Sequence, residues 1–215
     1  MGYALAHGLG IDKDLPAAAK WWEEAAIAGS AEAQFNLGIC YQLGQGVKQD
    51  GVEAARWYRA AAEQGLPRAQ FNLGFLYDVG EGVPVDYQEA KAWYLKAATL
   101  GVPDAQHNLG ILYAFGRGTV RDMKAAFLWF QKAANQGILD AQYNLAISYG
   151  SGEGVEKDVE QGIAWMLKAA SQGHLQSQYQ LGEIYNYGEG VPEDSGLAVM
   201  WLGRAAEQGH IEAQY

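Results

Sequence analysis

Apolar positions fall along this chain in two alternating helical stripes. Ala33, Leu37, Cys40 and Tyr41 share one face of a helix predicted over Ala33–Leu43. Ala54, Trp57, Tyr58, Ala61 and Ala62 stand at i, i+3, i+4, i+7 and i+8, a second stripe predicting a helix over Val52–Gln64. Between them Gly44-Gln-Gly46-Val47 breaks the pattern. The first glycine suits the left-handed residue after a helix end, the second a tight backbone turn, and Val47 is expected to plug the turn into the core. Asp50 then precedes the second helix, and Gly65 follows it. The unit reads as helix, glycine loop, helix, glycine stop.

The unit repeats every 36 residues. Its refrain is Ala33-Gln-Phe-Asn-Leu-Gly38, Ala69-Gln-Phe-Asn-Leu-Gly74 and Ala105-Gln-His-Asn-Leu-Gly110, then Ala141-Gln-Tyr-Asn-Leu-Ala146 and Ser177-Gln-Tyr-Gln-Leu-Gly182. It begins again at Ala213. A fixed period of this length predicts a stacked array in which each unit buries its apolar face on its neighbours. Asp14, Asp50, Asp86, Asp122, Asp158 and Asp194 recur as expected N-caps, whose carboxylates accept free N–H groups at the helix start. Glu53, Glu89 and Gln161, three residues on, predict a reciprocal capping box in three repeats. Trp21, Trp57, Trp93, Trp129, Trp165 and Trp201 keep the period and are expected to fill the space between stacked helices. Alanine pairs such as Ala61-Ala62 let helices approach, as does Gly38 between the two helices of a unit.

Most of the 28 glycines follow this register, so they are structural places and not disordered linker. The net charge of −10 disfavours nucleic acid, which requires clustered Lys and Arg, and favours a neutral or basic partner. Cys40 stands alone, so no intrachain disulfide or cysteine-built zinc site is available. The first residues do not read as a signal peptide, and no window suits a membrane span. Periplasm and cytoplasm both remain open. His7, His107, His174 and His210 are the histidines, with the equivalent His174 and His210 expected to be solvated. No metalloprotease or Ser-x-x-Lys motif occurs, and no nucleophile stands beside a base in sequence. No cofactor, metal or catalytic residue is expected.

The pattern Ala-x-x-Asn-Leu-Gly-x-x-Tyr-x-x-Gly-x-Gly-Val-x-x-Asp, followed by Ala-x-x-Trp-Tyr-x-x-Ala-Ala-x-x-Gly, resembles the Sel-1-like repeat family, relatives of tetratricopeptide repeats. The resemblance covers essentially the whole chain. It implies an all-α, right-handed α-solenoid of about six repeats, one array over 1–215 with repeat phases near 33, 69, 105, 141 and 177 and partial repeats at 1–32 and 213–215. It implies an adaptor or scaffold whose concave groove, lined by the first helices, holds a protein or peptide. By the same resemblance Asn36, Asn72, Asn108 and Asn144, with Gln180 as variant, are candidate groove amides; bonding between neighbouring helices is the alternative. One flanking row is Phe35, Phe71, His107, Tyr143 and Tyr179, either exposed anchors or packing between first helices. A second is Ile39, Phe75, Ile111, Ile147 and Glu183, and a third Gln42, Asp78, Ala114, Gly150 and Asn186. A cysteine-rich branch of the family is associated with β-lactams, an activity whose transfer the missing cysteines disfavour. Neither end reads as a polar cap, which suggests a piece of a longer protein and self-association through open ends as an alternative role.

Overall fold

The computed structural model describes residues 2–8, 10 and 12–214. Among them are twelve α-helices, one 3-10 turn and no strand. The helices are α1 (Gly2–His7), α2 (Leu15–Ile27), α3 (Ala31–Leu43), α4 (Gly51–Glu63), α5 (Pro67–Val79), α6 (Tyr87–Thr99), α7 (Pro103–Phe115), α8 (Met123–Asn135), α9 (Leu139–Ser151), α10 (Val159–Ser171), α11 (Leu175–Tyr187) and α12 (Ser195–Glu207); the turn is Glu212–Gln214. Odd-numbered helices are the first of each repeat and even-numbered ones the second. The α3 helix starts two residues before the apolar stripe because the Ser30 hydroxyl caps it, accepting from Ala33 N–H at 3.3 Å.

The chain divides into two compact units, one running to Ala105 and including Arg117–Thr119, the other comprising Gln106–Gly116 and the residues from Val120. In the first, α3 packs on α2 and α4, and α5 on α4 and α6. In the second, α9 packs on α8 and α10, and α11 on α10 and α12. Ala19, Ala26, Ala33, Leu37, Cys40 and Trp57 form one buried cluster of the first unit. Ala146, Ile163, Met166, Ala170, Leu181 and Trp201 form one of the second. Trp57, Trp93 and Trp201 are buried as expected, whereas Trp21 is exposed and Trp129 and Trp165 are half-buried. Lys96, Lys132 and Lys168 lie 3.7, 4.0 and 4.3 Å over the rings of Trp93, Trp129 and Trp165, a cation–π contact at i, i+3.

The second loop glycine does more than turn the chain. Gly82 has φ +71°, and a Cβ there would fall 1.9 Å from the Gly51 carbonyl oxygen, at the start of the preceding repeat's second helix. Gly46, Gly118 and Gly154 meet Leu15, Tyr87 and Met123 in the same way. Each glycine thus permits a close backbone contact from one repeat to the one before it.

The six aspartates cap as expected: Asp50 Oδ1 accepts from Val52 and Glu53 N–H at 3.0 and 3.1 Å, and Asp14, Asp86, Asp122, Asp158 and Asp194 act alike. The reciprocal capping box does not form. The N–H it would satisfy is already bonded, since Asp50 donates to the Tyr41 carbonyl, Asp86 to Tyr77 and Asp158 to Tyr149, each at 2.9 Å. Glu53 pairs with Arg56 instead, and Glu89 accepts from Trp93 Nε1 at 3.1 Å.

The refrain's glutamine is an inter-repeat anchor that the sequence reading left without a role. Gln34, Gln70, Gln142 and Gln178 are buried, and their Nε2 groups donate to the carbonyls of Ala26, Ala62, Ala134 and Ala170 at 3.1–3.3 Å. Their Oε1 atoms accept from the glutamine that closes the following second helix: Gln64 to Gln34 at 2.7 Å, Gln172 to Gln142 at 3.0 Å and Gln208 to Gln178 at 2.6 Å. Gln136 serves Gln106 likewise at 2.8 Å. Leu100 holds that place after Gln70, and Gln70 Oε1 is buried without a partner.

Candidate functional site

The amide row lies on the first-helix face, half-buried, and part of it is engaged within the chain. The Tyr58 ring is buried, and its hydroxyl donates to Gln42 Oε1 at 2.8 Å. Burial pushes the pKa of this hydroxyl well above the ordinary phenol range, an effect that the nearby Asn72 amide opposes. Gln42 Nε2 donates onward to Glu81 Oε2 at 3.1 Å. In the next repeat Tyr94 donates to Asp78 at 3.2 Å. Phe130 has no hydroxyl, and Asn144 there meets His107 at 3.1 Å instead. Asn36 lines a cavity with Phe35, Ile39 and Arg68. Gln180 lines another with Ile147 and Met166. Asn108 is half-buried.

The aromatic row packs within the chain, its first three members on the second helix of their own repeat and the last two on histidines that follow it. Phe35 is buried against Tyr58, ring centroids 5.7 Å apart, where the sequence reading allows an exposed anchor. Phe71 and His107 lie on Tyr94 and Phe130, both at 5.9 Å. Tyr143 and Tyr179 lie on His174 and His210 at 5.4 and 4.1 Å. The row one turn further along carries the exposed apolar surface of this face, with Phe75 38% and Ile147 42% accessible. Asp78 is half-buried beside it.

His174 and His210 are not solvated, as expected from sequence, but packed, with side chains 14% and 10% exposed. His174 caps α11. Its Nδ1 accepts from the Ser177 amide at 3.2 Å and from the Ser177 hydroxyl at 2.7 Å. Its Nε2 therefore carries the proton and donates to Asp140 Oδ1 at 3.0 Å. Ser177, His174 and Asp140 thus stand in line like a hydrolase triad, which spacing along the chain conceals. Ser177 is 0% exposed, however, and its own N–H is spent on the imidazole, so a substrate carbonyl has no approach and no oxyanion donor there. The arrangement is a helix cap tied to the preceding repeat. Among the described residues no group of three or more His, Cys, Asp or Glu is placed to hold a metal, and no helix is long and apolar enough to cross a membrane.

The Sel1 repeat profile matches six times, at residues 1–30, 31–66, 67–102, 103–138, 139–174 and 175–210. Among solved structures, a protective antigen of uropathogenic Escherichia coli strains, described as displaying an SLR fold, is 36% identical with a TM-score of 0.93 over 100% of this chain. This chain spans 46% of that one. A Sel1 repeat protein of Oxalobacter formigenes is 38% identical with a TM-score of 0.85, over 96% of this chain and 85% of its own. An immunity protein of Pseudomonas aeruginosa is 21% identical with a TM-score of 0.55, over 96% of this chain and 80% of its own, a likeness of fold alone. Comparison with curated proteins returned no match. The matched repeats and these neighbours bear out the expected all-α solenoid, and the chain belongs to the Sel1 repeat family.

Proposed function

We propose that the chain is a protein-interaction scaffold whose first-helix face holds a peptide or protein partner, with no catalytic step of its own. One observation carries this reading. Packing positions recur from repeat to repeat, while the positions beside the amides change chemistry: Phe75 and Ile147 give way to Glu183 in one row, and Asp78 to Ala114 and Asn186 in another. A surface freed from packing yet rich in partly exposed apolar groups suits recognition. The bond already made by Asn144 narrows the expected contacts toward Phe75, Asp78, Ile147 and the cavity-lining amides Asn36 and Gln180. The acidic balance favours a neutral or basic partner.

The test is charge introduction on each helix set. Phe75→Asp and Ile147→Asp should abolish capture of the partner from the source organism. Val52→Asp and Leu128→Asp, on exposed positions of second helices, should retain it. Loss only in the second pair refutes the assignment. Recovery of the chain itself as the captured species favours homotypic assembly.

A further inference from the structure

The fifth repeat departs from the ring-on-glycine packing of the second, third and fourth, while the sixth sets Leu202 against Gly182. Gly38, Gly74 and Gly110 each face a ring of the second helix: a methyl there would come within 2.6 Å of Tyr58, 2.8 Å of Tyr94 and 2.6 Å of Phe130. In the fifth repeat the pair is inverted, with Ala146 carrying the methyl and Met166 standing where the rings are. One turn further, Gln42 and Asp78 accept from the tyrosine hydroxyls, whereas the equivalent residue here is Gly150. A ring, its hydroxyl and its acceptor are all absent from this repeat.

The space has not closed. A cavity of about 450 Å³ opens there, walled by Ile147, Gly150, Ile163, Met166 and Ile184, with Gln180 among its polar lining. That volume lies in the range of small-ligand sites. A Cβ built on Gly150 would meet nothing within 4 Å, so this glycine borders empty space. Gly162, by contrast, would bring its Cβ within 3.0 Å of the Ala146 carbonyl and 3.2 Å of Gly150 N. The two helices are thus already in contact at Gly162 and cannot move together to fill the void.

We infer that this cavity is a binding site for a phenolic side chain, the tyrosine of a partner peptide. The second and third repeats show what fits the corresponding volume, because they fill it with their own Tyr58 and Tyr94. Aliphatic groups dominate the walls, with Lys157 and Glu189 also in the lining, and the Met166 thioether is a flexible, polarizable surface for a ring. Gln180 stands fourteen residues after Met166, as Asn72 stands after Tyr58, and it lines the cavity with an amide able to bond an incoming hydroxyl. Ile147 belongs also to the proposed partner face, so the site deepens that reading and rests on it for the origin of the tyrosine.

The test titrates N-acetyl-L-tyrosinamide into the full chain and follows the methyl resonances of Met166, Ile147, Ile163 and Ile184. Saturable shifts at these methyls are expected, with a dissociation constant on the order of 1 mM. The phenylalanine analogue should bind roughly three- to tenfold more weakly for want of the hydroxyl, and N-acetyl-L-alaninamide should leave the methyls unmoved. Gly150→Leu, which places an apolar side chain in the void and supplies no acceptor, should weaken tyrosinamide binding about tenfold or more. Ala146→Gly combined with Met166→Tyr rebuilds the arrangement of the second repeat and should do the same by a separate route. Unmoved methyls at about ten times the expected dissociation constant, or shifts that persist in both filled variants, overturn the inference. A partner that still requires Phe75 in that event leaves the scaffold reading standing.

Discussion

Gly110→Ala adds a single methyl to α7 and tests the packing rule on which the repeat is built. Its Cβ would lie 2.6 Å from both Cδ1 and Cε1 of Phe130 and 3.3 Å from Cζ. Phe130 is 3% exposed and its ring rests on His107, so it has no free direction in which to move. Overpacking of this kind costs about 1–3 kcal/mol. Replacing a mid-helix glycine by alanine returns about 1 kcal/mol. The single variant should therefore lie between neutral and about 2 kcal/mol destabilised. In a Phe130→Met background the pair becomes that of Ala146 and Met166, the clash vanishes, and the same methyl should stabilise by about 1 kcal/mol. The double-mutant cycle should thus yield a favourable coupling of about 1–3 kcal/mol. Urea unfolding of the four proteins, followed by tryptophan fluorescence and far-ultraviolet circular dichroism, measures it. Additivity within about 0.5 kcal/mol would refute the argument that ring and glycine select one another.

Leu100→Gln should give Gln70 Oε1 the donor that Gln64, Gln136, Gln172 and Gln208 provide elsewhere; Leu100 is 59% exposed, so little burial is lost. A gain of about 1 kcal/mol, or roughly 2–4 °C in Tm, is expected by calorimetry, and no gain would mean that the oxygen is not orphaned in solution. Burial pushes the Cys40 thiol up from 9.0 to about 11. Its contribution to stability is whole below pH 9 and is lost as pH rises through 11, so Cys40→Ala should lessen the alkaline decline in urea midpoints, Tyr58 adding its own from pH 10 upward. Iodoacetamide should label Cys40 at pH 8 only when the fold opens. His174→Ala removes the cap on α11 and should cost about 0.5–2 kcal/mol in urea unfolding. Ser177→Ala should leave p-nitrophenyl acetate hydrolysis unchanged from wild type; a faster wild type would reinstate the triad as chemistry.

The repeat architecture was legible because its causes are local. Apolar spacing, six aspartate caps and glycines in register each act within a few residues, and they located every helix to within two positions. The capping box failed because the aspartate N–H groups bond tyrosine carbonyls nine residues earlier, a competition that a three-residue motif does not contain. The glutamine anchors were visible in principle: Gln34, Gln142 and Gln178 each have a glutamine thirty residues on, and Gln70 does not. Their meaning depends on the stacking of successive repeats. The groove face was only partly readable. For Phe35 and Asn72 spacing leaves groove exposure and packing both open, and the Tyr58 side chain of a second helix lies near both. Asp140, His174 and Ser177 meet because the 36-residue period brings successive first helices side by side.

The central claim is that partners dock on the first-helix face, and site-specific photo-crosslinking tests it most directly. A photoreactive phenylalanine placed singly at Phe75, Asp78 or Ile147, and at Leu95 or Leu128 of the second helices, would be activated in cells of the source organism. The account predicts adducts of one common mass from the first three positions and none from the last two. Adducts confined to Leu95 and Leu128 would contradict it.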